Sequence, residues 1–265
     1  MTFDPSRHRL VFVGGLHRSG TTLLGRLIAQ HPDVSGFAET GVPADEGQHL
    51  QTVYPTAKAH GGPGRFGFDG AAHLTEQSDH CTPQNAARLI ESWTAHWDLT
   101  KPLLVEKSPP NLVRTRFLQA LFPDASFVVI LRHPIAVSLA TQKWSQTSLR
   151  SLLRHWLVCH ETLADDQPAV ERLLALTYEE LVENPAACLD RVFDFLAIEP
   201  HRSSEHLRSD SNAEYFAQWR ELGKQPLGGL KLRLAATRLE GRVARFGYSL
   251  VDLDRVPVMP LLGAP

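Results

Sequence analysis

Residues 11–24 constrain this chain more tightly than any other stretch. The run Val11-Phe12-Val13 reads as a buried strand, Gly14-Gly15 opens a turn, and Gly20 precedes Thr21-Thr22-Leu23-Leu24, the start of an apolar helix. Backbone N–H groups of such a turn, together with the N-terminus of the helix that follows, form a cradle for an anion. Gly15 and Gly20 have the spacing of a Walker A loop, GxxxxGK(S/T). Thr21 stands where that motif has lysine, and the cation, Arg18, lies inside the loop. Without a lysine reaching the β- and γ-phosphates, ordinary ATP or GTP hydrolysis is a poor reading.

The rest of the chain repeats the same alternation. Short apolar runs at Leu10–Val13, Leu103–Val105, Phe127–Leu131 and Leu173–Leu176 are separated by helix-like stretches at 22–30, 85–97, 112–122, 135–144, 149–164 and 178–196. Continuous apolar strands between helices imply an α/β fold, a P-loop-type parallel sheet of about four or five strands covered by helices on both faces. No linker divides the 265 residues, so a single domain over 1–265 is expected. Residues 55–70 carry Pro55, Pro63 and five glycines, a loop too long for a simple connection that reads either as a mobile lid or as a disordered insertion. Helices are also expected over 213–222 and 230–246.

Composition excludes more than it names. With 27 Lys+Arg against 29 Asp+Glu there is no global electrostatic reason to bind nucleic acid or an anionic membrane. The longest apolar run, Phe127–Leu131, is far shorter than the ~20 residues of a membrane span. Met1–Arg9 carries charges and leads into no apolar core of a signal peptide. Cys81, Cys159 and Cys188 lack CxxC spacing and read as reduced thiols of a cytoplasmic protein. The 13 histidines form no HExxH or Cys/His cluster of metal spacing, so no metal is expected.

Arg132 follows the strand Phe127–Leu131 and stands just before Pro134, a good first helical residue. Ligands of open parallel sheets sit at such carboxyl strand ends. The segment His17-Arg18-Ser19-Gly20-Thr21-Thr22-Leu23 resembles the 5′-phosphosulfate loop of sulfotransferases that use 3′-phosphoadenosine 5′-phosphosulfate (PAPS). The similarity is greatest to the tyrosylprotein and bacterial small-molecule branch, whose loops read PRSGTTL; His17 replaces the proline, and His31-Pro32-Asp33-Val34 also matches. The resemblance covers roughly residues 10–40 and 103–250, and leaves 41–102 as a divergent insertion expected to face the acceptor. It implies that His17, Arg18, Ser19, Gly20, Thr21 and Thr22 hold the 5′-phosphosulfate. Arg132 and Ser138 would hold the 3′-phosphate, although Ser138 comes two positions early and Ala140 occupies the usual offset. Tyr178, in Tyr178-Glu179-Glu180-Leu181, would contact adenine, and Arg202 and Arg208 fall in a basic segment that closes over the nucleotide.

Sulfuryl transfer needs an activated hydroxyl, cations around the transferring group and a stabilised leaving phosphate, so positioning and electrostatics dominate. Arg18 is one cation. Lys107, at the end of Leu103-Leu104-Val105-Glu106-Lys107-Ser108-Pro109, is the second and matches the family's catalytic lysine. Strand alternation sends Glu106 to the opposite face, where it is structural. Three residues compete for the general base. Glu39 occupies the position that the resemblance implies; Glu46 and His49 are rivals, and histidine titrates near neutrality. Trp93, Trp97, Trp144 and Trp156 read as core. The expected activity is transfer of the sulfuryl group of PAPS to a small-molecule, sugar or natural-product hydroxyl, releasing adenosine 3′,5′-bisphosphate without an essential metal. A P-loop small-molecule kinase and a non-catalytic nucleotide-binding homologue are the alternatives.

Overall fold

The computed structural model describes residues 2–202 and 212–255, apart from the side chain of Leu227. Five parallel strands, β1 (Arg9–Gly15), β2 (Val34–Gly36), β3 (Leu103–Lys107), β4 (Ser126–Leu131) and β5 (Leu173–Thr177), lie in the order β2-β3-β1-β4-β5. β3 and β4 are buried at every residue and β1 at all but its first. That continuity follows from helices covering both faces.

Strand alternation divides the core. Val11 and Val13 join Leu24, Leu27 and Ile28 of α1 (Thr21–Ala29) and Val192 and Phe193 of α7 (Pro185–Phe195). Phe12 and Leu104 turn the other way, toward Leu89 and Trp93 of α2 (Pro83–Thr94) and Phe117 and Leu118 of α3 (Thr115–Leu121). A third cluster joins α4 (Pro134–Ser145), α5 (Leu149–Asp166), α8 (Ala213–Lys224) and α9 (Pro226–Ala244) around Trp156. No helix among the described residues is long and apolar enough to cross a membrane.

Three expectations change. Residues 178–196 form two helices, α6 (Tyr178–Glu183) and α7, because Asn184 caps the second with its side chain and Pro185 starts it. The stretch 112–122 begins as a 3₁₀ turn, Pro109–Val113, before α3. The Gly-rich segment is neither lid nor disordered insertion: it is a series of 3₁₀ turns at Ala57–His60, Phe66–Phe68 and Gly70–Ala72, with Phe66 fully buried. Buried Arg114 ties it down through the carbonyls of Pro55 (2.9 Å) and Ala72 (3.5 Å).

The chain leaves β1 toward β2 on one side and crosses after β3 to β4 on the other. The crevice at such a reversal lies outside the carboxyl strand ends. Register aligns Val13 with Lys107 and Gly15 with Ile130, so the glycine loop, Lys107 and Arg132 emerge at one edge.

Candidate active site

The loop after β1 is shaped by what a side chain would meet. A Cβ at Gly15, where φ is +154°, would stand 2.5 Å from the Ile130 carbonyl oxygen, and one at Gly20 (φ +103°) 2.6 Å from Tyr178 Cδ2. Ser19 is buried and donates its hydroxyl to the Leu16 carbonyl at 2.6 Å. Gly20 provides no side-chain cap and the first turn of α1 has no carboxylate, so the helix entrance presents uncompensated amides that favour an anion. Thr21 is buried and Thr22 exposed beside it. Arg18, held in the left-handed region at φ 71°, sends its guanidinium outward over Trp144, 4.6 Å from the ring centroid. Trp144 is thus 56% exposed and not core, whereas Trp156 is buried and donates its indole N–H to the Arg132 carbonyl at 3.0 Å.

Arg132 forms the second group. Its Nε donates to Asn212 Oδ1 (2.8 Å), an Nη to the Arg18 carbonyl (3.1 Å), and its guanidinium lies 4.2 Å from the Tyr178 ring centroid. Burial lowers its pKa, but a guanidinium remains charged. Glu179 braces this corner: one carboxylate oxygen accepts from the His133 amide (3.0 Å) and Asn212 Nδ2 (2.6 Å), the other from the Tyr248 hydroxyl (2.9 Å). Ser138 faces elsewhere. It is 1% exposed and borders a small cavity whose lining includes neither Arg132 nor Tyr178. Arg202 pairs with Asp190 at 3.0 Å, and Arg208 lies outside the described residues.

Lys107 centres the third group. Its stem passes beside Gly25, where a Cβ would stand 3.3 Å from Lys107 Cγ. Its Nζ donates to the Ala44 carbonyl (2.5 Å) and lies 3.7 Å from Glu46 Oε1. Glu46 is buried, and its Oε2 accepts from Gln48 Nε2 (2.5 Å) and lies 3.7 Å from His49 Nε2. Burial draws Lys107 below the usual lysine range, against the pull of Glu46, Glu106 and Asp45. His17 is held down at about 4 by burial first, and then by the charges of Lys107 and His49. Glu39 stands apart: it is exposed at φ 55°, and no hydrogen bond or ion pair among the described residues uses its carboxylate.

Glu106, on the other strand face as expected, is fully structural. It accepts from Ser108 Oγ and Asn111 Nδ2, both at 2.5 Å, and Ser108 Oγ in turn accepts the Gln48 amide at 2.9 Å. A Cβ at Gly47 would lie 2.4 Å from Glu106 Oε1. Gly47, Gln48, Ser108 and Asn111 therefore pin the turn that carries Glu46 and His49. Sequence reading missed them; the signal was four small or polar residues that flank candidate site residues yet have no exposed role. Beside Lys107 a cavity of about 480 Å³ opens between α1, β2 and β3, bordered by Gly25, Arg26, Phe37, Asp45 and Lys101. A slightly larger one, about 550 Å³ between α8, α9 and residues 250–254, touches none of these groups.

A model of the sulfotransferase family matches residues 11–202. Among curated relatives, protein-tyrosine sulfotransferase 1 of Danio rerio is 26% identical over 90% of this chain and 72% of its own length. Protein-tyrosine sulfotransferase 2 of Gallus gallus is 28% identical over 71% of this chain, which spans about half (51%) of that relative. Two solved structures share the fold at 15% identity. Sulfotransferase STF1 from Mycobacterium tuberculosis H37Rv has a TM-score of 0.54, covering 88% of this chain and 77% of that one. A sulfotransferase from Alicyclobacillus acidocaldarius has 0.51, covering 94% and 99%.

Proposed function

The chain belongs to the sulfotransferase family and is a sulfotransferase enzyme, and from that premise we propose that it transfers the sulfuryl group of PAPS to a hydroxyl acceptor. The observation that carries the choice of donor is the pair of anion-receiving sites at one sheet edge: the uncapped entrance of α1 behind Gly15 and Gly20, and the buried guanidinium of Arg132 stacked on Tyr178. A nucleotide phosphorylated at both ends fits that spacing of charge; PAPS, when bound, supplies the activated sulfuryl group. Residues 17–22 bind the 5′ end, Arg132 the 3′-phosphate, and Tyr178 the adenine. Arg208 completes the set implied by the family resemblance, whereas Ser138, which the resemblance also implies, borders a cavity away from Arg132 and Tyr178.

Lys107 and Arg18 neutralise charge on the transferring group and the leaving phosphate. His49 accepts the proton of the acceptor hydroxyl as its oxygen bonds to sulfur and the bond from sulfur to the phosphate oxygen breaks. Glu46, 3.7 Å from His49 and from Lys107, orients both. Glu39 is the rival base, supported by its sequence position. The acceptor is a small-molecule, sugar or natural-product hydroxyl, with the phenol of a tyrosine suggested by the relatives' names. Support for a small acceptor is the cavity beside Lys107, whose volume is typical of ligand pockets and whose wall includes Asp45 of the divergent 41–102 segment. The free thiols of Cys81, Cys159 and Cys188 support a cytoplasmic setting.

Calorimetry tests the donor. Adenosine 3′,5′-bisphosphate should bind at least tenfold more tightly than AMP, about 1.4 kcal/mol; equal affinities would end the proposal. Radiolabelled PAPS in an acceptor screen then tests the chemistry. His49→Ala should lower kcat by about 10²–10⁴-fold, with Glu39→Gln within a few-fold of wild type. The reverse pattern assigns the base to Glu39.

A further inference from the structure

Behind the phosphate loop, two polar side chains, one from the loop and one from α4, border one small cavity. His17 Nδ1 and Ser138 Oγ are both buried with no hydrogen-bond partner. Both residues border a cavity of about 10 Å³, lined also by Leu16, Gly64, Thr141 and His155. That volume admits about one water molecule, which needs two to four polar partners to stay. A water held there would join α4 to the loop.

Hydrogen counting sets the imidazole. A serine hydroxyl carries one hydrogen that must find an acceptor, and unmet buried donors are rarer than under-used acceptors. Of the two partnerless atoms, only His17 Nδ1 can serve as that final acceptor. Were Nδ1 protonated, the water would accept from both groups and neither of its own hydrogens would find an acceptor between them, one unmet donor more than with a lone pair on Nδ1. With a lone pair on Nδ1, Ser138 donates to the water and the water donates to His17. The ring hydrogen then sits on Nε2, which makes no hydrogen bond and is not among the buried partnerless atoms, so it is the nitrogen on the open side of the loop. Burial first, then the charges of Lys107 and His49, hold the ring's pKa down at about 4, so it is neutral near pH 7.

We propose that Ser138 is a positioning residue which, through one water in the shared cavity, fixes the Nε2–H tautomer of His17, and that His17 donates this N–H to an oxygen of the transferring sulfuryl group. The second half rests on the sulfuryl-transfer reading above; the first does not. On this account Ser138 serves the sulfuryl end of the site through His17. The replacement of the family's usual proline by His17 gives the loop a neutral donor that proline cannot supply.

Nitrogen-15 NMR of histidine-labelled protein reads the tautomer directly, with the His17 signals assigned by their loss in His17→Gln. Wild type should show an unprotonated Nδ1 and a protonated Nε2. Ser138→Ala should mix the two forms and lower kcat about twofold, the competent fraction at equal populations, with the KM for PAPS unchanged. Ser138→Cys, a weak donor, should restore much of the wild-type spectrum, and it carries the test if the alanine variant fails to fold. His17→Ala should lose about 10²-fold in kcat. A protonated Nδ1 in wild type, or an unaltered tautomer in Ser138→Ala, overturns the positioning role. A shifted tautomer with unchanged kcat overturns the donor role. A wild-type protein with the stated tautomer but no turnover of PAPS refutes the sulfuryl-transfer reading and the donor role, and leaves the cavity assignment standing.

Discussion

Replacing Glu106 by glutamine separates the cost of burying a carboxylate from the benefit of the hydrogen bonds it accepts. Glu106 is 1% exposed on β3. Burial pushes it up to about 7 from the usual 4.5, against the opposing hydrogen bonds from Ser108 and Asn111 and the attraction of Lys107. Between those two values the folded protein holds a proton that the unfolded chain has released, so stability falls as pH rises from 4.5 to about 7 and the loss is complete above that. At 1.36 kcal/mol per pH unit the span amounts to about 3 kcal/mol. Glutamine keeps the length, stays neutral, and can still accept from Asn111 while its amide donates to Ser108. Urea unfolding of both proteins at half-unit steps from pH 5 to 8 should therefore show near-equal stability at pH 5 and a growing advantage for Glu106→Gln, approaching ~3 kcal/mol at pH 8. The buried histidines act in the opposite sense. His133 and His155 are held down at about 3 and His160 at about 4 by burial, so their contribution is present above 6.5 and lost as pH falls. They are common to both proteins and cancel in the difference. Parallel stability curves would refute the account of Glu106 as a buried, desolvated carboxyl.

Gly47→Ala puts a methyl 2.4 Å from Glu106 Oε1, so the turn bearing Glu46 and His49 must move; a loss of about 1–3 kcal/mol in thermal melts should accompany reduced kcat, and retention of both would contradict the contact. Gly64→Ala and Gly62→Ala form a matched pair at φ +79° and +76°, but only the first meets an obstacle, Leu152 Cδ2 at 2.3 Å. Gly62→Ala should lose about 1–2 kcal/mol from backbone strain alone, and Gly64→Ala clearly more, as compared by urea midpoints. Glu179→Gln turns an amide toward donors that Glu179 now accepts, loosening Asn212 and Arg132. Titration calorimetry should show affinity for adenosine 3′,5′-bisphosphate reduced about tenfold, or ~1.4 kcal/mol, with AMP affinity unchanged.

Four of the five strands were legible because both their faces are covered, which makes each a continuous apolar run. β2 was not: Val34-Ser35-Gly36 is three residues with a serine and a glycine, and it gains strand geometry only by pairing with β3 at the sheet edge. The periodicity of 178–196 ran through Asn184-Pro185, so the cap had to be weighed above the apolar pattern to find the break. At 55–70 glycine and proline suggested mobility, yet order there comes from Arg114 and from Gln48, whose Oε1 accepts the Ala57 amide at 2.8 Å. Arg114 lies 59 positions from Pro55 and Gln48 outside the Gly-rich stretch, so the composition of 55–70 cannot register them. The same limit applies in the site. Arg18, Lys107 and Arg132 were readable from their places after strands. Glu46 was readable only as one of three candidate bases, and its burial depends on Lys107, some 60 positions on, which faces it.

The segment from Glu39 to Glu46 then acquires a physical role beyond filling a divergent stretch. Ala44 and Asp45 both adopt left-handed backbone, φ 52° and 49°, and Glu39 a third at 55°. Each such residue is disfavoured by roughly 1–2 kcal/mol, so three within seven positions need a compensating contact. Asp45 supplies one by accepting from the Thr40 amide (2.8 Å) and hydroxyl (2.6 Å), which closes the segment into a knot. Lys107 supplies the other. A buried ammonium without partners would lose its proton, and the strained turn aims the Ala44 carbonyl and the Glu46 carboxylate at Nζ from one side. These contacts oppose the burial that lowers the lysine's pKa, and in so buried a place charge acts strongly on a ligand. A substitution that relaxes the turn, Ala44→Gly being the mildest because it keeps the carbonyl while removing the steric penalty, acts through the freedom it gives Lys107. Its effect should appear in turnover while the melting temperature rises or holds.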